Sequence, residues 1–267
     1  MEKITLDGIT LFFAARDREA AGWMGAAAGE ALRLVRERWG LAPRGGFQVH
    51  AMTSWAGFLV ATAPWSLRPW LVLSLPLWVS RVAKTWRMAG GWTQRFGSRV
   101  AVGVKPPRLL LAADRSLGER LFLSEPDVQG KVRQITWHET VHACSLHHKL
   151  PAWLNEGLAM VAVDRLAGKP TVRPETLSWL LESAKTKPGR RYPSHYRGNG
   201  EAFLSLYARG YWRVRFLEET RSGLLKELLA VRRSPDEWLP PFAEACGLPD
   251  GSGWAEVDLA VVRHFEQ

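Results

Sequence analysis

The chain has 267 residues, of which 46% are hydrophobic and 23% are charged. This length gives one large domain or two small ones with a substantial buried core, and the composition is ordinary for a globular protein. Its two cysteines, Cys144 and Cys246, exclude a disulfide framework. No basic stretch leads into an apolar run at the N-terminus, so we expect no signal peptide and a cytoplasmic protein, in solution or peripheral to the inner face of a membrane.

The positive charge is concentrated in one segment. Lysine and arginine number 36 against 26 acidic residues, giving a net charge of +10. Between Glu37 and Asp114 there are ten basic residues, no acidic residue and seven of the fourteen tryptophans. Such a segment attracts phospholipid head groups, nucleic acid or an acidic substrate. No zinc-finger or ribonucleoprotein motif accompanies it, which disfavours nucleic acid and leaves an anionic membrane surface or an acidic substrate as candidate partners of residues 38–113.

The first half of the chain is predicted to contain both helices and strands. Strands are predicted at residues 9–14, 47–52 and 99–104, where branched and aromatic residues concentrate. Asp17 is a predicted N-cap for a helix that ends near Trp39, before Gly40. A further strand at residues 109–112 is predicted to pair with residues 99–104 across a Pro106-Pro107 turn.

Residues 55–80 form an apolar stretch whose only charge is Arg68. Each uncharged half is twelve or thirteen residues long, whereas a helix that spans a bilayer needs about 20. We interpret this stretch, together with the basic residues that follow it up to about residue 87, as an insertion. Three interpretations stay open: packing on the protein's own core or over its cleft, which is favoured; a kinked hairpin or interfacial helix at a membrane surface; and a spanning segment.

The second half is predicted to be nearly all helical. One helix is expected to begin after Ser124 as N-cap, with acidic residues in its first turn, and to end before Pro151. Another is expected from about residue 153. These two helices contain the residues whose types and spacing indicate a metal-binding site.

That pattern is the pentapeptide His138-Glu139-Thr140-Val141-His142. Two histidines at i and i+4 lie on one face of a helix, so both imidazoles can reach one metal ion. A catalytic zinc keeps three protein ligands and a water, which a glutamate beside the first histidine can deprotonate. The sequence therefore predicts His138 and His142 as ligands of one Zn²⁺ per chain and Glu139 as general base.

The third ligand has two candidates. Glu156, near the start of the next helix, can turn back to the same ion, although a carboxylate there could also be a first-turn acid that favours the helix dipole. His148 has the spacing of the HExxHxxGxxH pattern, but that pattern wants glycine where this chain has Ser145. Cys144 is expected to be a small buried side chain, and His50, His195 and His264 to be structural.

Three stretches make the chain similar to gluzincin metallopeptidases, specifically the aminopeptidase-N-like group and its smaller peptidase MA-like relatives. They are the pentapeptide, residues 153–159 (WLNEGLA, similar to the family's WLNEGFA) and residues 207–211 (YARGY, similar to the family's Y-x-K-G segment). The likeness covers roughly residues 124–220. The spacer of thirteen residues between His142 and Glu156 is shorter than in the large aminopeptidases, and a GxMEN-like segment is absent from the sequence. The resemblance therefore implies peptide hydrolysis and does not extend to aminopeptidase action.

The resemblance implies a zincin-like α+β fold. We expect a mixed α/β lobe at residues 1–123, with the basic, Trp-rich insertion at 55–87, and a helical zinc-binding lobe at residues 124–267. It further implies that Glu156 is the third ligand and that the Tyr207 hydroxyl stabilises the tetrahedral intermediate, with Tyr192, Tyr196 and Tyr211 in reserve. By analogy with the family, the strand at residues 99–104, or its partner, would offer an edge to an extended substrate. The expected function is a zinc-dependent peptidase acting on a peptide or protein, and the alternatives are a catalytically silent zinc-binding protein of the same fold and a membrane-surface interaction protein.

Overall fold

The computed structural model describes residues 1–111, 118–182 and 200–267. Its fold is α+β, with one mixed five-stranded sheet and many helices. The elements are, in chain order, β1 (Glu2–Leu6), β2 (Ile9–Phe13), α1 (Arg18–Trp39), β3 (Gly46–Ala51), α2 (Trp55–Thr62), α3 (Arg68–Leu73), α4 (Leu75–Met88), β4 (Gly91–Phe96), β5 (Arg99–Val104), α5 (Pro107–Leu110), α6 (Gly118–Leu121), α7 (Val128–Ser145), α8 (Ala152–Ala167), α9 (Trp179–Glu182), α10 (Gly200–Thr220), α11 (Leu224–Ala230), α12 (Leu239–Ala245) and α13 (Trp254–Phe265).

The chain divides into two compact units. The sheet unit comprises Met1–Arg33, Ala42–Ser116 and Ser124–His147, and the helical unit comprises Leu34–Leu41, Leu117–Leu123 and His148–Gln267. This division differs from the predicted boundary between residues 123 and 124, because α7 groups with the sheet. The physical reason is burial: Val132 and Ala143 of α7 lie in the same hydrophobic core as Val49, Val100 and Val102 of the sheet.

The sheet has the strand order β1-β2-β3-β5-β4. The inner pairs β2–β3 and β3–β5 are parallel, and the outer pairs β1–β2 and β4–β5 are antiparallel hairpins. Asp7 and Gly8 connect β1 to β2 with φ values of 49° and 80°, and an Asp-Gly pair favours such a two-residue hairpin turn. Apart from Arg99, β5 is buried, because Val100 and Val102 face the core shared with α1 and α7 and Ala101 packs beside Phe58 of α2.

Most of the predicted elements of the first half are confirmed. Strands β2, β3 and β5 match residues 9–14, 47–52 and 99–104 within one residue at each end, and α1 ends at Trp39 before Gly40, as predicted. The strand predicted at residues 109–112 is wrong, because Pro107–Leu110 form α5 and residue 112 lies outside the described residues. A proline suits the first helical position, where no N–H is needed. The partner of β5 is instead β4, which the sequence did not predict.

The apolar stretch at residues 55–80 folds into α2, α3 and the first part of α4. The first, α2, buries Phe58 and Thr62 and packs beside Met52 and Ala101 of the core. The second, α3, buries no residue. In the part of the chain that the structure describes, no helix is both long and apolar enough to cross a bilayer. The stretch is therefore packed on the core at its beginning and exposed in its middle.

The helical unit is built around the packing of α8 against α10. Both helices bury most of their side chains, and Gly157 of α8 meets Gly210 of α10 backbone to backbone. The buried Arg213 of α10 donates from its guanidinium to both carboxylate oxygens of the buried Asp258 of α13, at 2.7 and 2.9 Å. The same guanidinium lies 4.1 Å from the centroid of Trp254 and 5.1 Å from that of Trp153, so indole rings complete its surroundings.

Candidate metal centre

Helix α7 presents the two histidines from a well-anchored position. It begins at Val128, and its N-cap is Asp127, whose carboxylate accepts from the N–H groups of Gln129 and Gly130 at 3.2 and 2.7 Å. The predicted N-cap Ser124 is therefore wrong by one turn, because a carboxylate nearer the helix takes the capping position. Farther along α7, Trp137 Nε1 donates to Glu30 of α1 at 2.9 Å, one residue before the first histidine.

The two imidazoles face each other one turn apart. Nε2 of His138 lies 3.0 Å from Nε2 of His142, and the ring planes are perpendicular with centroids 4.6 Å apart. Two nitrogens that bind one tetrahedral zinc at about 2.0–2.1 Å are separated by about 3.3 Å. The observed separation is thus close to the one that a shared metal ion requires.

Glu156 is the fifth residue of α8, which begins at Ala152 after Pro151. No acidic residue lies in the first turn of α8, so the interpretation of Glu156 as a first-turn acid that favours the helix dipole is wrong. Only 2% of Glu156 is exposed. A buried carboxylate needs a cation or hydrogen-bond donors to offset its lost hydration.

The ligand atoms of His138, His142 and Glu156 all lie within 4.8 Å of one another. Within residues 1–111, 118–182 and 200–267, this is the group of three whose atoms converge in this way, and neither His148 nor Cys144 belongs to it. Cys144 is fully buried, as predicted. Two imidazole nitrogens and a carboxylate oxygen are the donor set of catalytic zinc sites, so these residues fit the ion that the sequence predicts.

Glu139 is held by β4, the strand that the sequence missed. The Thr93 hydroxyl oxygen lies 2.6 Å from Glu139 Oε2 and 2.9 Å from the Glu139 backbone oxygen. Gly91 makes room for the side chain, since a Cβ there would lie 2.5 Å from Glu139 Cγ and 2.9 Å from Cγ2 of Ile135. In the sequence, the only indication of Thr93 and Gly91 is a short run of residues with a threonine before the Gly97-Ser98 turn. Such a run is a weak indication of a strand.

The hydroxyl of Thr93 has a single proton for these two acceptors. With an anionic Glu139, it can donate that proton to the carboxylate. With a protonated Glu139, it can accept from the carboxyl group and donate to the backbone oxygen instead. Thr93 is therefore able to hydrogen-bond Glu139 in both protonation states.

The two described tyrosines of the motif region differ in environment. The buried Tyr211 donates to Asp164 Oδ2 at 2.6 Å and accepts from Arg215, and burial raises its pKa. Its hydroxyl already has partners within the helical unit. Tyr207 lies on α10 one turn before Gly210 and is half-buried, with its ring 5.1 Å from that of Phe203. Tyr192 and Tyr196 lie outside the described residues.

Two of the three histidines that were expected to be structural are described, His50 and His264. His50 is buried in the sheet unit, with its ring stacked 4.6 Å from Phe12 and edge-on to Phe58. Burial lowers the pKa of His50 to about 4, so the imidazole is neutral at pH 7. His264 lies 3.8 Å from Glu219 in the helical unit, and His195 lies outside the described residues.

Comparison of the chain with known proteins found no matching family model, no matching curated protein and no matching solved structure.

Proposed function

We propose that this protein is a zinc-dependent peptidase of the gluzincin type, with a zincin-like fold. The observation that supports the proposal most directly is the convergence of the His138, His142 and Glu156 ligand atoms within 4.8 Å, beside a glutamate in the general-base position. The pattern of the sequence and the convergence of the side chains are separate grounds, since residues 14 positions apart need not meet.

His138, His142 and Glu156 would hold the zinc ion. When bound, zinc supplies Lewis acidity and lowers the pKa of a water molecule to near 7, which makes hydroxide available at neutral pH. Two neutral imidazoles and one carboxylate leave a net positive charge on such a site. That charge would attract the electron-rich carbonyl oxygen of a peptide substrate.

Glu139 is the proposed general base and, later in the reaction, the general acid. Its carboxylate takes the proton of the attacking water and afterwards delivers it to the nitrogen of the departing amine. The carboxyl group must therefore exist in both protonation states during one turnover. Thr93 supports this exchange, because its hydroxyl can donate to the anion and can accept from the acid without a change in backbone position.

Tyr207 is the proposed donor to the oxyanion that forms when the carbonyl is attacked. One preorganised donor of this kind contributes about 3 kcal/mol to transition-state stabilisation. Support comes from its position on α10, one turn before the glycine that contacts α8 beside Glu156. Tyr211 is a poor substitute, because its hydroxyl already donates to Asp164.

An extended substrate would bind along β4. This strand ends the sheet and lies against α7, with Thr93 and Gly91 next to the general base. Addition of a peptide as a further strand would hold its carbonyl groups in a fixed register. Of the two strands considered for this role, residues 99–104 (β5) lie between β3 and β4, so the partner of β5 is the one at the edge.

The test is metal analysis paired with cleavage profiling of wild type and Glu139→Gln. We expect about one zinc per chain in both proteins, and cleavage of a peptide library that the substitution lowers by about 10²–10⁴-fold. Glu175→Gln, the same chemical change at an exposed position, is the matched control and should retain full activity.

Two results would contradict the proposal. Undiminished cleavage by Glu139→Gln would exclude this glutamate as the base. Wild-type protein that holds zinc but cleaves nothing across a broad peptide library would instead indicate a catalytically silent zinc-binding protein.

A further inference from the structure

Six exposed large apolar side chains of the sheet unit lie within thirteen residues of the sequence. We define the apolar tip as residues 65–77, which comprise α3 and the residues on either side of it. Trp65, Trp70, Leu73 and Leu77 are 79%, 71%, 72% and 76% exposed, and Leu67 and Val72 are exposed as well. Isolated apolar residues at a surface are normal, whereas a contiguous group of this size indicates a binding surface.

The apolar tip has a well-packed base, so its exposure does not reflect a lack of structure. Trp55 of α2 makes edge-on contacts with Trp78 of α4 and with Trp92 of β4, at centroid distances of 5.3 and 5.5 Å. Phe58 of α2 is buried against Met52. These contacts fix the two ends of the tip and leave its middle in solvent.

Arg68, the only charge among residues 55–80, has hydrogen-bond acceptors and a ring contact within its own segment. Its guanidinium donates to the backbone oxygens of Ala61 and Ala63 at 2.9 and 3.0 Å, at the C-terminal end of α2. It also lies 4.2 Å from the ring centroid of Trp65. Because protein oxygens and an aromatic ring replace part of its hydration, this arginine can approach an apolar medium at reduced cost.

The segment of the sequence that contains the tip bears positive charge and no acidic residue between Glu37 and Asp114. Of the ten basic residues between Glu37 and Asp114, Lys105 is buried, Arg108 pairs with Asp17, and Arg38 pairs with Glu218. Four others are exposed in the sheet unit: Arg44, Arg87, Arg95 and Arg99. A segment that combines exposed apolar side chains with exposed basic residues and no acidic ones complements a layer whose interior is apolar and whose face is anionic.

We propose that the apolar tip docks onto the surface of a bilayer that contains anionic lipid head groups, with its tryptophans at the head-group level. Tryptophan is enriched at that depth, and a helix that lies in the interface buries its apolar face about 5–10 Å. The exposed aliphatic residues Leu73 and Leu77 argue against nucleic acid, which offers charge and stacking but no apolar interior. The absence of acidic residues from the whole segment argues against a second copy, whose own surface would present the same charges.

Vesicle flotation tests the proposal with the full chain. Wild-type protein should float with vesicles of equal parts phosphatidylcholine and phosphatidylglycerol, should float poorly with phosphatidylcholine alone, and should be released by salt. Replacing three exposed aliphatic residues of the tip should lower partitioning by about tenfold or more: Val72→Ser, Leu73→Ser and Leu77→Ser. The matched control replaces three exposed aliphatic residues of the helical unit and should partition as wild type does: Leu123→Ser, Val231→Ser and Leu259→Ser.

A second measurement reports the depth of the tip. Brominated phosphatidylcholine in the same vesicles should quench part of the tryptophan emission, and Trp70→Phe should remove a part of that quenching while leaving the fold unchanged by circular dichroism. His138→Ala should float like wild type, because the tip contains none of the metal-binding residues. Loss of peptidase activity and loss of membrane binding can thus be told apart.

Three outcomes would overturn the proposal. One is wild-type protein that fails to float with either vesicle. Another is a folded triple variant of the tip that floats as well as the control triple. The third is lipid-free protein that forms a dimer, or binds an oligonucleotide, through the tip, as shown by loss of that association in the tip variant.

Discussion

Gly157 of α8 and Gly210 of α10 contact each other where the two helices cross. A Cβ built on Gly157 would lie 2.2 Å from the Gly210 backbone oxygen, and one built on Gly210 would lie 2.1 Å from the Trp153 backbone oxygen. Ordinary contacts of a Cβ begin at 3.4 Å. Gly157→Ala must therefore push α8 and α10 apart by roughly an ångström, because a backbone oxygen cannot rotate away.

The expected loss of stability follows from two opposing effects. Overpacking of this kind costs about 1–3 kcal/mol, and we expect the upper end because the contact is with backbone. Alanine gains about 1 kcal/mol over glycine in a helix interior. The net change is a loss of about 2 kcal/mol in the free energy of unfolding, which lowers Tm by about 4–8 °C in a chain of this size. Zinc affinity should fall as well, because Glu156 precedes the displaced residue.

Thermal and urea unfolding of Gly157→Ala are the assays, with Gly22→Ala as matched control. Gly22 lies in α1, and no heavy atom lies within 4 Å of the position that a Cβ on it would occupy, so its replacement should stabilise the protein slightly. If Gly157→Ala were as stable as Gly22→Ala, the close crossing of α8 and α10 and its role in positioning Glu156 would be refuted.

Three further predictions test other contacts. Thr93→Val should lower kcat by about 10- to 100-fold through loss of a hydrogen bond to a charged Glu139, with KM nearly unchanged and with recovery in Thr93→Ser; an unchanged kcat would contradict the role of Thr93. Asp258→Asn should cost about 3–5 kcal/mol in urea unfolding, since it leaves the buried Arg213 without its anion, and a loss below about 1 kcal/mol would refute this. His50 remains neutral in the fold down to about pH 4, whereas the unfolded imidazole binds a proton below its ordinary pKa of 6.5. Stability should therefore fall as pH drops from 6.5 to about 4, and His50→Gln should remove that part of the fall in denaturant titrations at several pH values.

The predictable parts of the fold were those with a local signal. Strong runs of branched residues marked β2, β3 and β5, and a long pattern closed by Gly40 marked α1. Strand β4 was missed because its residues Trp92, Thr93, Gln94 and Arg95 show little hydrophobic alternation, and its pairing with β5 is a property of the sheet. At residues 109–112 the local pattern indicated a strand that does not form. Apolar residues after two prolines suit a helix as well as a strand.

The site was predictable to the extent that its residues lie at fixed spacing on a helix. His138, Glu139 and His142 follow from helical geometry alone, and the choice of Glu156 over His148 agrees with the group of ligand atoms that converge. Thr93 and Gly91 could not be found in this way, because their relation to Glu139 spans more than forty residues and depends on how α7 lies across β4. The exposure of the apolar tip was likewise hidden, since composition does not tell which face of a tryptophan-rich stretch is packed.

The position of β4 at the end of the sheet has a consequence for selectivity. Main-chain hydrogen bonds are the same for nearly every residue type, so an edge strand distinguishes chains by conformation and not by sequence. A polypeptide that binds there must already be extended and must have unpaired N–H and C=O groups of its own, which folded proteins seldom offer. Loops, termini and unfolded chains meet that requirement, and preference among them would have to come from side chains outside the strand.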